Sequence, residues 1–255
     1  MDLPAALAII LAGATALALS NWNPVKVRDR YEDAARSALA QGDYPTAVIA
    51  AQRLLGFGGT ARNEAIFITA KAKMVLGQAG DAYRLLEMIA PFDKPVYAPA
   101  HILVAEILLE ENAAAKSPDP RILSQLQNAL ALDPESGEAL EMLGTYELRR
   151  GNLVEARKAC EKAASQRPEV IFKLIDLSRS LGDEQSAGLW IERALEVFRP
   201  RVVGAVKPDE ADRLYLAEAL LQARKFQAAF EVLAEAPDFS SNATERRRYA
   251  LVCAA

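Results

Sequence analysis

The sequence is poor in aromatic side chains, 7% of residues against 51% hydrophobic overall, and it holds one histidine and two cysteines. Each scarcity excludes something. A single histidine, His101, rules out H-E-x-x-H zinc sites and multi-histidine metal cages. Cys160 and Cys253 lie far apart with no C-x-x-C partner, so neither a zinc site nor a disulfide framework is indicated. The alternating Val-Ile-Thr-Tyr pattern of strands is almost absent. A net charge of −4, with 34 acidic and 30 basic residues, lacks the basic stripe that neutralises phosphates, so nucleic acid is not an expected partner. The one basic cluster, Arg246, Arg247 and Arg248, reads as a solvated helix face.

Alanine and leucine fill the gap, and both favour helices, with alanine letting backbones approach closely. A chain of 255 residues can bury a sizeable core or form a repeat array that never closes into a globule.

The stretch "LPAALAIILAGATALALS", residues 3–20, carries no charge. As a helix it is about 27 Å long, close to the ~30 Å of a hydrocarbon core. Leu3, Ile9, Ile10, Leu11, Leu17 and Leu19 supply its apolar surface, and Trp22 suits the membrane interface. Pro4 fits a first helical turn, and Asn21, Asn23 and Pro24 supply a stop. Residues 1–23 are therefore expected to be a single-pass membrane anchor, followed by a helical domain over 27–255. Two alternatives stand beside it. A signal peptide, cleaved at the small residues Ala16 and Ala18 or left uncleaved, would export the chain, although Asp2 stands where positive charge is expected. A buried helix of a soluble domain also fits so alanine-rich a stretch. Lys26, Arg28 and Arg30 follow the stretch and none precedes it, which places the rest of an anchored chain on the cytoplasmic side. Ala8, Ala12 and Ala16, four residues apart, offer a close helix contact in a membrane, or reflect alanine richness alone.

Beyond the first 23 residues an outline recurs: a helix ending near a small or polar turn, then a helix with an early small residue. "LAQGDYPTAVIAAQRLL", "VLGQAGDAYRLLEMI", "RRGNLVEARKACEKAASQRP", "SLGDEQSAGLWIERALE" and "LQARKFQAAFEVLAEA" share it. The early position runs Ala47, Ala82, Ile122, Ala156, Ala187, Ala229, at intervals of 35, 40, 34, 31 and 42. A period near 34 with two helices per unit is a tetratricopeptide signature. The chain resembles that family from about Val27 onward. In "GEALEMLGTYELRRGNLVEARKACEKAASQRP", Leu140, Leu143, Gly144, Gly151, Ala156, Ala163 and Pro168 fall at its signature places, and Pro134 stands one period before Pro168.

The resemblance implies an all-α, right-handed α-solenoid of about six helix-turn-helix units. Small residues let the two helices of a unit cross closely, pairing Ala35 with Ala47, Ala70 with Ala82, Gly144 with Ala156 and Ala217 with Ala229. Leu54, Leu85, Leu143, Leu174 and Leu233 are expected to bury between units, since no unit covers its apolar surface alone. Ile122 and Ile175 stand where the family prefers small residues, so wider crossings or a shifted register are expected there. The longer intervals are assigned to two loops, "NAAAKSPDP" and "PRVVGAVKP". The closing "ATERRRYALVCAA" either caps the last unit or begins another.

Chemistry finds little support. "GFGGT", residues 56–60, lacks the Gly-Lys-Ser/Thr of a P-loop and reads as a connection. His101 reads as packing, and Glu110 and Glu111, being adjacent, face different sides of a helix. Cys160 reads as a small buried hydrophobe four residues after Ala156. No catalytic residues, cofactor or metal are expected, and the chain is read as no enzyme.

Binding is the alternative. The resemblance implies a concave face lined by the first helices, carrying Phe67, Lys71, Met74, Ile102, Glu106, Glu141, Thr145, Phe172, Asp176, Arg179, Leu214 and Glu218, although several of these equally suit packing between units. That face is expected to be apolar along its length with mostly acidic accents, Glu32, Glu64, Glu106, Glu141 and Glu169 with scattered Lys71 and Arg179, unlike the basic clamp of family members that grip chaperone tails. The expected partner is a protein or peptide segment with apolar anchors and some positive charge, within a membrane complex if the anchor is real. The role implied is a membrane-anchored scaffold that recruits or helps assemble partners through a concave groove. The alternative is a non-catalytic structural subunit of a stable membrane-associated complex.

Overall fold

The computed structural model describes residues 24–115, 117–206 and 208–234. The expected anchor, with Leu3, Ile9, Ile10, Leu11, Leu17, Leu19 and Trp22, lies outside these, as do Cys253 and the Arg246–Arg248 cluster. Among the described residues no helix is long and apolar enough to cross a membrane.

The described residues form twelve α-helices and no strand. They are α1 (Pro24–Ala40), α2 (Tyr44–Leu54), α3 (Gly59–Val75), α4 (Ala79–Ile89), α5 (Ala98–Glu111), α6 (Pro120–Leu132), α7 (Gly137–Arg149), α8 (Leu153–Ala163), α9 (Ile171–Ser180), α10 (Glu184–Val202), α11 (Glu210–Gln222) and α12 (Phe226–Ala234). Contacts divide the described residues into two compact units, one up to Val104 and one from Ala105, with the division inside α5.

The first unit packs α1 against α2, α2 against α3, and α3 against α4. Its core is built almost wholly of alanine, with Ala35, Ala38, Ala47, Ala50, Ala51 and Ala65 closed by Leu54 and Ile68. In the second unit α7 pairs with α8, α9 with α10 and α11 with α12, each pair packing on the next. One core gathers Leu140, Ala156, Cys160, Ala163, Val170, Leu174 and Leu177. Another, richer in bulk, holds Ile171, Phe172, Ile175, Ile191, Leu195, Phe198, Leu214 and Leu233.

Turn chemistry sets the hairpins. Gly42, Gly77, Gly151 and Gly182 all have φ between 74° and 80°, and each stands five residues before the early alanine of the second helix. At each, two hydrogen bonds close the preceding helix, as when Gly151 N–H donates to Leu148 at 3.0 Å and Asn152 N–H to Glu147 at 2.9 Å. This left-handed closure is one that glycine adopts without a Cβ penalty. Asp43 and Asp183 then cap the second helices by accepting from Thr46 N–H at 3.2 Å and Ser186 N–H at 3.0 Å.

The small residues proposed for the crossings, Ala35, Ala47, Ala70, Ala82, Ala156, Ala217 and Ala229, are fully buried. Gly144 sits where a Cβ would stand 3.3 Å from the Ala156 carbonyl oxygen. Ile122 and Ile175 are also fully buried.

Three expectations need correction. Leu85 and Leu143 are half-buried, and their neighbours Leu86 and Leu140 fill the core, because a shift of one or three residues rotates a side chain to another part of a helix face. The loop expected from Pro200 begins later: α10 runs through Pro200 to Val202, the proline forgoing the one N–H that would donate to the Glu196 carbonyl. The "GFGGT" stretch is a connection, with Leu55–Phe57 as a 3₁₀ turn and Gly58 and Gly59 at positive φ as α3 begins.

Candidate partner-binding surface

In the first unit the first helices α1 and α3 enclose a hollow of about 490 Å³ lined by Arg36, Leu39, Tyr44, Phe67, Lys71 and Val75, among others. Two expected groove residues, Phe67 and Lys71, are brought together there. The Lys71 ammonium lies 5.5 Å from the Phe67 ring centroid, a cation–π distance. Lys71 is exposed, and no carboxylate among the described residues pairs with it. Met74 is half-buried on the same helix.

Beneath the hollow stands a charge network that sequence reasoning missed. Glu64 is buried, and its Oε1 accepts from Arg36 Nε at 2.6 Å while its Oε2 accepts from the Tyr97 hydroxyl. Arg36 also reaches Glu32, at 2.7 Å. The hydrogen bond to Glu64 raises the Arg36 pKa, and burial next to that carboxylate pushes the Tyr97 phenol well above its ordinary value. Tyr97 packs edge-on to Phe67, with centroids 5.8 Å apart, so the network fixes the groove's aromatic wall. Glu64 was read as an acidic accent of the surface. Its burial between a guanidinium and a phenol removes that charge from the face.

In the second unit two of the expected acids, Glu141 and Glu169, are likewise paired. Glu141 meets Lys173 at 2.5 Å and Arg167 at 3.1 Å, and Arg167 also meets Glu169 at 2.9 Å. Thr145 stands 3.4 Å from the Lys173 ammonium. Arg179 donates to Gln222 at 2.5 Å, Asp176 and Glu106 are exposed, and Glu218 is half-buried.

Ile102, Phe172 and Leu214 are buried rather than presented. Phe172, Phe198 and Tyr215 form a cluster of three rings, Phe172 lying 5.9 and 5.7 Å from the other two and these 5.0 Å from each other, and Arg201 lies over the Phe198 ring. These three belong to packing because bulky residues on a first helix serve the next pair as often as the groove. His101 is fully buried, its Nε2 accepting from Val96 N–H at 3.2 Å. Cys160 is buried as expected of a small hydrophobe, and burial raises its thiol pKa to about 11.

The tetratricopeptide repeat family model matches residues 123–170, which run from α6 across the α7–α8 pair. A search of curated proteins yields no significant match. Solved structures do. That from a functional characterisation of Pseudomonas aeruginosa pilF is similar at 15% identity and a TM-score of 0.59, covering 89% of this chain and 97% of its own. PilW, a widely conserved type IV pilus biogenesis factor, is similar at 18% identity and a TM-score of 0.54, over 82% and 91%. A thermophilic TPR protein of Thermus thermophilus is similar at 21% identity and a TM-score of 0.52, over 76% and 99%. At these identities the likeness is one of fold. The family match is confined to residues 123–170, and the fold is of the kind that the period and the turn glycines imply.

Proposed function

We propose that this repeat protein is a non-catalytic scaffold that binds a protein segment on its first-helix face and holds it beside a membrane through residues 1–23. Tetratricopeptide repeat proteins in general mediate protein–protein interaction, and the first-helix face is where stacked pairs expose a lining. The observation that carries the reading is the hollow between α1 and α3, which offers Phe67, Val75 and a Lys71 with no carboxylate partner among the described residues, over a fixed network. A rigid apolar wall with such a cation suits a peptide with apolar anchors and an acidic residue, the reverse of the charge expected from the acidic face.

Anchoring rests on the uncharged stretch 3–20, and cytoplasmic placement on Lys26, Arg28 and Arg30. The fold likeness to PilW is compatible with a role in assembling an envelope complex, without specifying one.

The test is photo-crosslinking in membrane extracts with a reactive side chain at position 75. A single major protein adduct is expected, lost on Phe67→Ala with Lys71→Glu while the far-UV circular dichroism is unchanged. Adducts indifferent to that double substitution reject the groove. A reporter fused after Asn23 and active only outside the cytoplasm rejects the proposed topology.

A further inference from the structure

We infer that a second docking site lies between α10, α11 and α12, and that it takes a short peptide segment with one acidic side chain between apolar ones. It goes beyond the first-helix groove and stands whether or not that groove binds.

The hollow holds about 500 Å³, within the range of ligand sites, and its walls include Val202, Val203, Val206, Leu216, Leu220 and Val232. Val203 and Val206 are largely exposed at its edge. Arg199 and Arg213 line the same walls. Arg213 Nη1 is buried with no hydrogen-bond partner among the described residues, a costly state for a charged donor. Arg199 joins no ion pair among them either, whereas Arg201, two residues on, is committed to Asp212 at 3.2 Å. The acid on the walls, Glu231, already accepts from Gln227 at 3.0 Å.

Position along the wall decides what kind of acid fits. Arg213, Leu216 and Leu220 fall on one face of α11, and Val206 precedes the helix. Arg199 and Arg213 line the hollow together with these apolar residues, so its complement is a carboxylate flanked by apolar groups. Charge-assisted hydrogen bonding from the Arg199 and Arg213 guanidiniums would hold the carboxylate while its flanking side chains cover the valines and leucines.

The test selects a phage-displayed library of random heptapeptides on the full chain in detergent. Enriched sequences are expected to carry Asp or Glu with Leu, Ile, Val or Phe on both sides. A fluorescent peptide of such sequence should lose at least tenfold in affinity when its acid becomes the amide. The same loss is expected with Arg213→Gln, and with Val206→Asp, an exposed position where folding is not at stake. Phe67→Ala with Lys71→Glu should leave this binding intact. Absence of enrichment, binding indifferent to the acid or to both Arg213→Gln and Val206→Asp, or loss on the Phe67/Lys71 pair alone overturns the site.

Discussion

The Sγ of Cys160 lies 2.5 Å from the point where a Cβ on Gly144 would stand. One residue belongs to α7 and the other to α8, so this pair sets how closely the two helices of the unit cross. A methyl at position 144 must displace the sulfur and crowd the Ala156 carbonyl oxygen at 3.3 Å. Gly144→Ala is expected to destabilise by about 1–3 kcal/mol, as overpacking does. Cys160→Ala in the same chain should recover part of that loss, and a double-mutant cycle by urea denaturation measures the recovery.

Arg224 has φ of 58° at the turn before α12, five residues ahead of Ala229, where the corresponding turns carry Gly42, Gly77, Gly151 and Gly182. Its bonds repeat the pattern, with Arg224 N–H donating to Leu221 and Lys225 N–H to Leu220, both at 2.8 Å. An L side chain in this region costs about 1–2 kcal/mol. Arg224→Gly is therefore expected to stabilise the last pair by up to ~1 kcal/mol after the added freedom of the unfolded chain is counted. Thermal unfolding of the full chain checks the sign, and Gly151→Ala should move it the other way.

These two cases show what a single sequence makes legible. A turn that needs positive φ and a crossing that needs a missing side chain each permit few residue types, so their period stands out. Burial of Glu64 was not legible, because its partners Arg36 and Tyr97 lie 28 and 33 residues away and carry no local signal. The choice between groove and packing failed at Ile102, Phe172 and Leu214 because a repeat register places a side chain on a helix without saying which neighbour covers it. The hollow at Arg213 escaped notice for another reason: a loop of irregular length helps to build it.

Asp183 caps α10, and its bond with Ser186 and its ion pair with Arg157 at 3.1 Å hold its carboxyl below the ordinary value. A depressed folded pKa stabilises the fold above the unfolded value of about 3.9, and that contribution is lost as pH falls through the folded value. Asp183→Ala should lower stability near neutrality while flattening its decline below about pH 4. Unfolding midpoints measured from pH 2.5 to 7 test this, and an unchanged acid limb refutes it.

Cys160 titrates in the opposite sense. Its thiol is raised to about 11, so the unfolded chain deprotonates first and stability should fall as pH climbs from about 8.5 toward that value. In a Cys253→Ser background the native protein should resist Ellman's reagent at pH 8 and react fully in guanidinium. Rapid native labelling would show the sulfur to be accessible.

Arg36, Glu64 and Tyr97 test whether the groove wall depends on a buried charge. Removing Arg36 leaves the Glu64 carboxylate with the Tyr97 hydroxyl and without its cation. The side chain of Arg36 is 56% exposed, so the cost should fall below the 3–5 kcal/mol of a wholly buried pair, at about 1–3 kcal/mol. Tyr97→Phe removes a single hydrogen bond to a buried carboxylate while keeping the ring against Phe67, and about 1.5–3 kcal/mol is expected. If Arg36 acts chiefly by compensating the Glu64 charge, Arg36→Ala with Glu64→Gln should be more stable than Arg36→Ala alone, since no uncompensated charge remains buried. Chemical denaturation of the four chains decides it, and equal stability of the double and single variants would place the cost of losing Arg36 in its packing instead.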